Sequence, residues 1–167
     1  MNCIAAVDRN WGIGLDNSLL FHIPQDMSFF KEKTVGNTVI MGKNTLLSLP
    51  GGKPLANRRN IVLSTSLSEK DFIVCKDLKN LFEKIKSYDS DRLFVIGGEQ
   101  IYKILLPYCS AAYITRVNDE RNANKFFVNL DLCKNWKMTF KGESQIYKGI
   151  EFCFCEYRNT QPKSFEY

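Results

Sequence analysis

The chain has 167 residues, of which 44% are hydrophobic and 25% charged, a composition typical of a soluble globular protein with one domain and a substantial core. No apolar run approaches the ~20 residues of a membrane-spanning helix. The formal net charge is +5, but the lysines are scattered, which argues against a nucleic-acid-binding surface and suits anionic small molecules equally well. The N-terminus lacks the basic residues of a signal peptide, so we expect a cytoplasmic protein.

The inventory of metal ligands is sparse. Six cysteines occur without a C-x-x-C pair, and His22 is the single histidine. We therefore expect no metal site. Without an export signal the cysteines are expected to be reduced, and Cys153 and Cys155 to face the same side of a strand.

Short, β-branched apolar runs recur along the chain and predict strands buried on both faces. In chain order these are Asn2–Val7, Thr38–Gly42, Asn60–Ser64, Phe72–Cys75, Leu93–Ile96, Ala111–Val117, Trp136–Phe140 and Glu151–Tyr157. Between them, one helix is predicted to begin at Pro24, one to cover Leu78 to Ile85, and one to end before Pro107.

This alternation predicts an α/β fold: a single domain over residues 1–158 with a mixed, largely parallel eight-stranded sheet flanked by helices. The last two strands are joined by Lys141–Ile150 without a helix, which predicts a C-terminal antiparallel hairpin. The polar residues 159–167 are expected to form a disordered tail. Ligands of parallel sheets bind at the carboxyl ends of the strands, so the turns there are candidate sites.

Asp26 lies in the first turn of the helix that begins at Pro24, four residues before Phe30 on the same face. Met27 and Phe29 are expected on the inner side of this helix. A carboxyl held against apolar groups has a raised pKa and can donate a proton near neutrality. The alternative is that Asp26 only complements the helix dipole, as first-turn acids commonly do.

Three turns at predicted strand ends carry groups that suit phosphate. Gly97-Gly98 allows a ligand close to the backbone and to the free N–H groups of the following helix. Gly42-Lys43-Asn44-Thr45 adds an ammonium and a hydroxyl, and Ser64-Thr65-Ser66 adds further hydroxyls. Together they suggest a dinucleotide with an extra phosphate, although each one alone is equally an ordinary cap or turn.

Two further side chains suit a carboxylate. Arg58 can bind one through two hydrogen bonds, or it can be a solvated surface residue. Thr115, near the end of an apolar strand, can steady a buried carboxylate or bond to its own backbone.

In this order, the motifs resemble dihydrofolate reductase over nearly the whole chain. The matching motifs are Ile4-Ala5-Ala6, Gly12-Ile13-Gly14, Pro24 with Asp26, Phe30 with Thr34, Val39–Gly42, Leu55 with Arg58, Asn60–Ser64, Val95–Gly98, Tyr102, Leu106-Pro107 and Thr115. Single motifs are common, whereas their ordered combination is specific. Residues Val7–Phe21 resemble the mobile loop that covers the nicotinamide in this family.

The resemblance implies NADPH-dependent reduction of 7,8-dihydrofolate to 5,6,7,8-tetrahydrofolate, in support of one-carbon metabolism and of thymidylate, purine and glycine synthesis. It implies a monomer that binds NADPH, dihydrofolate and antifolate inhibitors, and neither nucleic acid nor membrane. Asp26, hydrogen-bonded by Thr115, would promote protonation of the pterin imine. Arg58 would bind the glutamate carboxylate of folate.

The resemblance also implies the other site residues. The folate pocket would be lined by Ile4, Ala5, Phe30, Leu49, Leu55 and Ile96. The cofactor would be bound by Ala6, Ile13, Gly14, Gly42, Lys43, Asn44, Thr45, Ser64, Thr65, Gly97, Gly98, Gln100, Ile101 and Tyr102. Of these, the residues at the adenosine end and its 2′-phosphate would be Lys43, Thr45, Ser64 and Thr65.

The sequence departs from the family pattern at three places. Leu20-Phe21 replaces the usual Pro-Trp, so the indole N–H that orders a water near the pterin is missing. Asn124–Val128 replaces a common Asp-Thr-x-Phe-Pro, so the hydrogen bonds that close the covering loop are expected to differ. Gln100 replaces a common arginine, which leaves more of the phosphate binding to Lys43.

Three alternatives stay open on the sequence alone. The first is a reductase of a ribosylated pyrimidine or another pterin on the same scaffold, because a fold does not fix a substrate. The others are a folate- or nucleotide-binding protein without activity and a basic RNA-binding module. Asp26 beside Phe30, together with Arg58, favours folate.

Overall fold

The structure, a computed structural model, describes residues 1–68 and 71–165. Its strands are β1 (Asn2–Val7), β2 (Gly12–Leu15), β3 (Ser18–Leu19), β4 (Thr38–Gly42), β5 (Arg59–Leu63), β6 (Ile73–Cys75), β7 (Leu93–Gly97), β8 (Ala111–Val117), β9 (Lys125–Phe126), β10 (Trp136–Lys141), β11 (Gln145–Tyr147) and β12 (Ile150–Asn159). Its α-helices are α1 (Pro24–Thr34), α2 (Lys43–Ser48), α3 (Leu78–Ile85) and α4 (Glu99–Leu105). Among the described residues, no helix is long and apolar enough to cross a bilayer.

The main sheet has the strand order β10-β12-β8-β1-β7-β4-β5-β6, and β11 also pairs with β12. Strands β8, β1, β7, β4, β5 and β6 are parallel, whereas β12 is antiparallel to both β8 and β10. This topology confirms the predicted α/β fold, its eight strands and the C-terminal antiparallel hairpin. The short strand β11 lies within the predicted hairpin connection.

The central strands are apolar along their whole length because both of their faces are covered. Ile40 and Val95 belong to a large buried cluster on one face of the sheet. Val39 and Met41 belong to a smaller cluster on the other face. The continuous apolar runs in the sequence therefore reflect a sheet between two layers.

The parallel arrangement brings the carboxyl ends of β1, β4, β5 and β7 to one edge of the sheet. Gly42 at the end of β4 lies opposite Leu63 of β5, and its neighbour Met41 lies opposite Gly97 of β7. The turns that follow these strands are therefore adjacent in space, as the sequence indicated.

Residues 10–21, which we expected to form a loop, contain a β2–β3 hairpin that also pairs with β9. The turn residues Asp16 and Asn17 have φ angles of 48° and 64°. Two successive left-handed residues are typical of hairpin turns, and Asp and Asn tolerate this conformation. The sequence does not reveal this hairpin, because its strands are too short for an alternating pattern to be visible.

Met27, which we expected on the inner side of α1, is 46% exposed. The helix packs on the sheet through Phe29 instead, whose ring stacks on Phe154 of β12 with centroids 4.3 Å apart. Helical spacing predicts that one face is buried, but the neighbouring side chains decide where that face is centred.

Cys3, Cys109, Cys133, Cys153 and Cys155 form no disulfide, as expected. Cys153 and Cys155 are both buried on the same face of β12, with their Sγ atoms 3.7 Å apart, at the distance of a thiol–thiol hydrogen bond. They act as small apolar residues of the larger cluster.

The described part of the C-terminal segment lies against the domain. The backbone N–H of Lys163 donates to the carbonyl of Pro107 at 2.8 Å. The ring of Phe165 lies 5.1 Å from that of Phe82 in α3. The expected disorder is therefore not found for residues 159–165, while residues 166 and 167 lie outside the described residues.

Asp8 organises the start of the β2–β3 hairpin. Its buried carboxylate accepts from the backbone N–H groups of Asn10 and Gly12, both at 2.8 Å, and from that of Arg121 at 3.1 Å. A Cβ on Gly12 would lie 2.6 Å from Cβ of Ala123, so the turn requires glycine there.

Replacing Asp8 by alanine is expected to lower the free energy of unfolding by about 2–4 kcal/mol, because buried N–H groups lose their acceptor. Urea unfolding measures this change. The control is Asp71→Ala, at an exposed position, where a change within about 0.5 kcal/mol is expected. Equal effects of the two substitutions would contradict the role of Asp8.

Candidate active site

Helix α1 positions Asp26 as the sequence predicted. The helix begins at Pro24, and Asp26 lies in its first turn. Ile23 before it provides no side-chain cap, so a first-turn carboxylate is the main electrostatic complement of the helix start. The dipole explains why an acid is tolerated there, but it does not explain where the carboxyl points.

The Asp26 carboxyl is bound by Thr115 of β8. Oγ1 of Thr115 donates to Oδ1 of Asp26 at 2.6 Å. Thr115 is buried, with Ala6 of β1 and Phe154 of β12 as its neighbours in the sheet register. Burial raises the pKa of Asp26, and the hydrogen bond from Thr115 only partly opposes that rise. Asp26 therefore keeps its proton to a higher pH than an exposed aspartate does.

An apolar cluster lies between α1 and the sheet, and we call it the α1-side cluster. Its buried members are Ile4, Val39, Met41, Leu46, Val62, Phe94 and Ile96, and its partly buried members are Phe29, Phe30, Leu49, Leu55, Leu67, Phe72 and Tyr113. Five of the six predicted folate-pocket residues belong to it. The exception is Ala5, which packs against the larger cluster on the opposite face because successive strand residues alternate.

Arg58 borders the α1-side cluster. Its Nε donates to Oγ1 of Thr34 at 3.0 Å, and its Nη1 donates to the carbonyl of Ala56 at 2.8 Å. Its guanidinium carbon lies 5.9 Å from the centre of the Phe30 ring. Burial lowers the pKa of Arg58, but an arginine stays charged. Within the described residues no carboxylate forms an ion pair with Arg58, so its charge is available to an anionic ligand.

Asn60 fixes the turn from Leu55 to Arg58 through hydrogen bonds, a role that the sequence did not reveal. We call this turn the Arg58 corner. Its Oδ1 accepts from the N–H of Leu55 at 2.9 Å. Its Nδ2 donates to the carbonyls of Leu55 and Arg58 at 2.9 and 3.0 Å. The pattern of a strand residue gives no sign of these bonds, because they depend on how the preceding turn folds back.

Tyr102 of α4 fixes the glycine turn at the end of β7. Its hydroxyl donates to the carbonyl of Ile4 at 2.6 Å. Gly97 has a φ of +120°, and a Cβ there would lie 3.2 Å from the Tyr102 ring. A Cβ on Gly98 would lie 3.4 Å from Oγ1 of Thr45. The two glycines therefore keep a narrow space between α4 and α2, which a side chain would fill.

The other two turns also meet at this edge. Nζ of Lys43 donates to Oγ of Ser66 at 2.9 Å. Oγ of Ser64 lies 3.4 Å from Oγ of Ser66. One ammonium and neighbouring hydroxyls make a site that suits a phosphate. Ser66 belongs to the turn predicted to suit phosphate, but it is not among the cofactor residues that the resemblance implied. A Cβ on Gly42 would lie 3.0 Å from Ile101, so these two residues also meet.

Three predicted cofactor residues, Asn44, Thr65 and Gln100, are exposed. They belong to the first turn of α2, the turn after β5 and the first turn of α4, respectively. Their side chains are therefore at the surface of the sheet edge rather than among its buried contacts.

Ile13 and Gly14 lie in β2, and Asn124 fastens this hairpin. Oδ1 of Asn124 accepts from the N–H of Asp16 at 3.2 Å, and its Nδ2 donates to the Asp16 carboxylate at 2.8 Å. The departure at Asn124 therefore retains side-chain hydrogen bonds to the hairpin, with an amide that both donates and accepts. Phe21 is buried in a separate small cluster with Ile23.

The chain is similar to dihydrofolate reductases over nearly its whole length. The dihydrofolate reductase family model matches residues 1–159. The dihydrofolate reductase of Bacillus subtilis is 36% identical, with 94% of each chain covered. That of Haemophilus influenzae is 36% identical, with 82% of this chain and 83% of the relative covered. A solved dihydrofolate reductase from Enterococcus faecalis, complexed with NADP(H) and RAB-propyl, has a TM-score of 0.83 and 27% identity, with 95% of both chains covered. Fold and site thus define an α/β reductase. The chain belongs to the dihydrofolate reductase family.

The raised pKa of Asp26 predicts how stability depends on pH. Between the ordinary value of 3.8 and the raised pKa, the folded chain binds more protons than the unfolded chain, so the contribution of Asp26 to stability falls as pH rises through that range. Asp26→Asn removes the buried charge. We expect this variant to be more stable than the parent at pH 7 and the difference to vanish below pH 3.8.

Urea unfolding at a series of pH values measures this difference. Asp71→Asn, at an exposed position, is the matched control and should follow the parent at every pH. A loss of stability in Asp26→Asn that is the same at all pH values would show that the charge is not penalised.

Proposed function

We propose that this protein reduces 7,8-dihydrofolate to 5,6,7,8-tetrahydrofolate with NADPH. The observation that carries the proposal is the Asp26–Thr115 pair beside the α1-side cluster. The Bacillus subtilis relative is named dihydrofolate reductase, and membership of this family supports the reaction. The complex of the Enterococcus faecalis relative with NADP(H) supports the cofactor. Tetrahydrofolate would then serve one-carbon metabolism and the synthesis of thymidylate, purines and glycine.

Asp26 serves the proton side of the reaction. Bound NADPH supplies a hydride to the carbon of the pterin C=N bond. That carbon accepts a hydride poorly until the neighbouring nitrogen is protonated, and a carboxyl with a raised pKa promotes protonation near neutral pH. Thr115 orients the carboxyl through Oδ1, which leaves Oδ2 to bind the pterin. The hydride and the proton together convert the C=N bond into C–H and N–H.

The α1-side cluster and Arg58 bind the rest of the substrate. The apolar side chains form walls that exclude water from the ring system, which favours transfer of a hydride over side reactions. Arg58, held in place by Thr34 and Ala56, binds the glutamate carboxylate. The same pocket would take antifolate inhibitors.

The carboxyl edge of the sheet binds the cofactor. Ala6, Ile13 and Gly14 would hold the nicotinamide end. Gly97 and Gly98 would leave room for the phosphates, and Lys43 with Ser64 and Ser66 would bind the 2′-phosphate. The 2′-phosphate distinguishes NADPH from NADH. Because Gln100 contributes no charge, the preference for NADPH depends on Lys43.

Asp26→Asn is expected to lower kcat at pH 7 by about 10²–10⁴-fold, because the carboxyl proton is lost. Activity should recover partly in acid, where solvent protonates the substrate. The measurement is NADPH oxidation at 340 nm with and without dihydrofolate. Asp71→Asn is the control with unchanged activity.

Two results would contradict the proposal. The first is undiminished turnover by Asp26→Asn at pH 7. The second is a parent protein that oxidises NADPH with a ribosylated pyrimidine or another pterin but not with dihydrofolate, which would assign a different substrate to the same scaffold.

Arg58→Met keeps the apolar stem and removes the charge. It should raise KM for dihydrofolate by about tenfold or more and leave kcat within about twofold, because the lost bond is made equally in the ground and transition states. Arg158→Met, at an exposed position on β12, is the control, because β8, β1, β7 and β4 separate that strand from β5 in the sheet. An unchanged KM would remove Arg58 from the substrate site.

A further inference from the structure

Trp11 occupies an unusual position for a large side chain. It has a φ of 63°, in the left-handed region that non-glycine residues rarely adopt, and only 3% of it is exposed. It directly precedes β2, which contains Ile13 and Gly14. Its carbonyl accepts from the N–H of Phe127 at 2.8 Å. A strained residue persists only when its surroundings hold it, so the contacts of the indole matter.

Three side chains surround the indole of Trp11. The Phe127 ring stacks on it at 6.2 Å, and the Tyr157 ring meets it edge-on at 6.1 Å. The guanidinium carbon of Arg116 lies 4.9 Å from the centre of the indole. Tryptophan is the aromatic residue that binds a cation over its face best, so Arg116 is the polar partner of this ring.

Arg116 is fixed by two further groups. Its Nη1 donates to Oδ2 of Asp131 at 2.8 Å and to the hydroxyl of Tyr157 at 2.9 Å. The same hydroxyl donates to Oδ1 of Asp131 at 2.8 Å. Burial raises the pKa of Tyr157, so its hydroxyl remains a donor near neutrality. Burial opposes ionisation of Asp131, yet the bonds from Arg116 and Tyr157 keep its pKa below the ordinary value. Arg116, Asp131 and Tyr157 therefore form a triad in which each side chain is hydrogen-bonded to the other two. Arg116 and Asp131 are its charged members.

The triad of Arg116, Asp131 and Tyr157 is connected through aromatic rings to two elements at the carboxyl edge of the sheet, β2 and the glycine turn after β7. Through Trp11 it reaches β2. Through Phe127, whose ring lies 4.6 Å from that of Tyr102, it reaches the glycine turn after β7. Arg116 is also the strand neighbour of Thr115, so its side chain lies on the opposite face of β8 from the Asp26 bond.

We propose that Arg116, held by Asp131 and Tyr157, is a positioning residue that fixes Trp11 and thereby holds the β2–β3 hairpin over the nicotinamide end of the cofactor site. This inference rests on the proposed function. Arg116 touches no reacting atom. It acts on cofactor affinity through Trp11 and leaves the folate pocket, on the other face of the sheet, unaffected.

The test measures equilibrium binding of NADPH and of dihydrofolate separately. Arg116→Met keeps the stem and removes the charge, and we expect the Kd for NADPH to rise by about tenfold, which is about 1.4 kcal/mol. The Kd for dihydrofolate should change by less than about twofold. Arg116→Lys, which keeps the charge without the planar fork, should recover part of the loss. Arg158→Met, at an exposed position on β12, should match the parent.

Two further variants separate positioning from damage to the fold. Tyr157→Phe keeps the buried ring and removes the hydroxyl, and it should raise the Kd for NADPH by about threefold. In a Trp11→Phe background, Arg116→Met should raise the Kd for NADPH by less than about twofold, because the residue through which Arg116 acts is gone.

A Kd for NADPH in Arg116→Met equal to that in Arg158→Met would overturn the proposal, as would an equal loss of dihydrofolate binding. The chain has two tryptophans, so Trp136→Phe leaves Trp11 as the single reporter. In that background Arg116→Met should increase quenching of Trp11 by acrylamide, and unchanged quenching would also overturn the proposal. Quenching needs no cofactor, so it decides the role of Arg116 even if the parent binds no NADPH, a result that would refute the proposed function instead.

Discussion

The hydrogen bond from Thr115 to Asp26 is the constraint on which the site depends. The two residues are 89 positions apart, and the bond forms only when α1 crosses the sheet next to β8. The stacking of Phe29 on Phe154 holds the helix at that crossing. Burial then raises the pKa of Asp26, and the bond determines which oxygen remains for a ligand. A first-turn carboxylate becomes a proton-holding group because of where its helix lies.

A second constraint is the parallel direction of β1, β4, β5 and β7, which brings the turns of the candidate site to one edge of the sheet. Parallel strands end at the same edge, so turns far apart in sequence become neighbours. Gly97 and Gly98 keep that edge open, since a side chain at either position would meet Tyr102 or Thr45. Lys43 then reaches the hydroxyls of the next turn. The groups that suit an anion therefore come from several turns that meet at this edge, and not from any single turn.

Strand β8 links the two halves of the site. Thr115 faces Asp26 of α1, whereas Arg116 faces Trp11 at the start of the β2–β3 hairpin. Because alternate residues of one strand are rigidly related, the carboxyl and the hairpin are positioned by the same element. Asn124 and Asp8 fasten the hairpin at its other points.

The sequence by itself determined the eight strands of the main sheet order, the start of α1 at Pro24, the ordered motifs of the family and five apolar residues of the α1-side cluster. These features depend on local periodicity, turn chemistry and residue type, which are visible within a few positions. Only the tertiary structure decided that Met27 is exposed, that Ala5 packs on the other face, and that Asn60 holds the Arg58 corner. Such pairings are set by how distant elements pack against each other, and no local pattern encodes the partner of a side chain across the sheet.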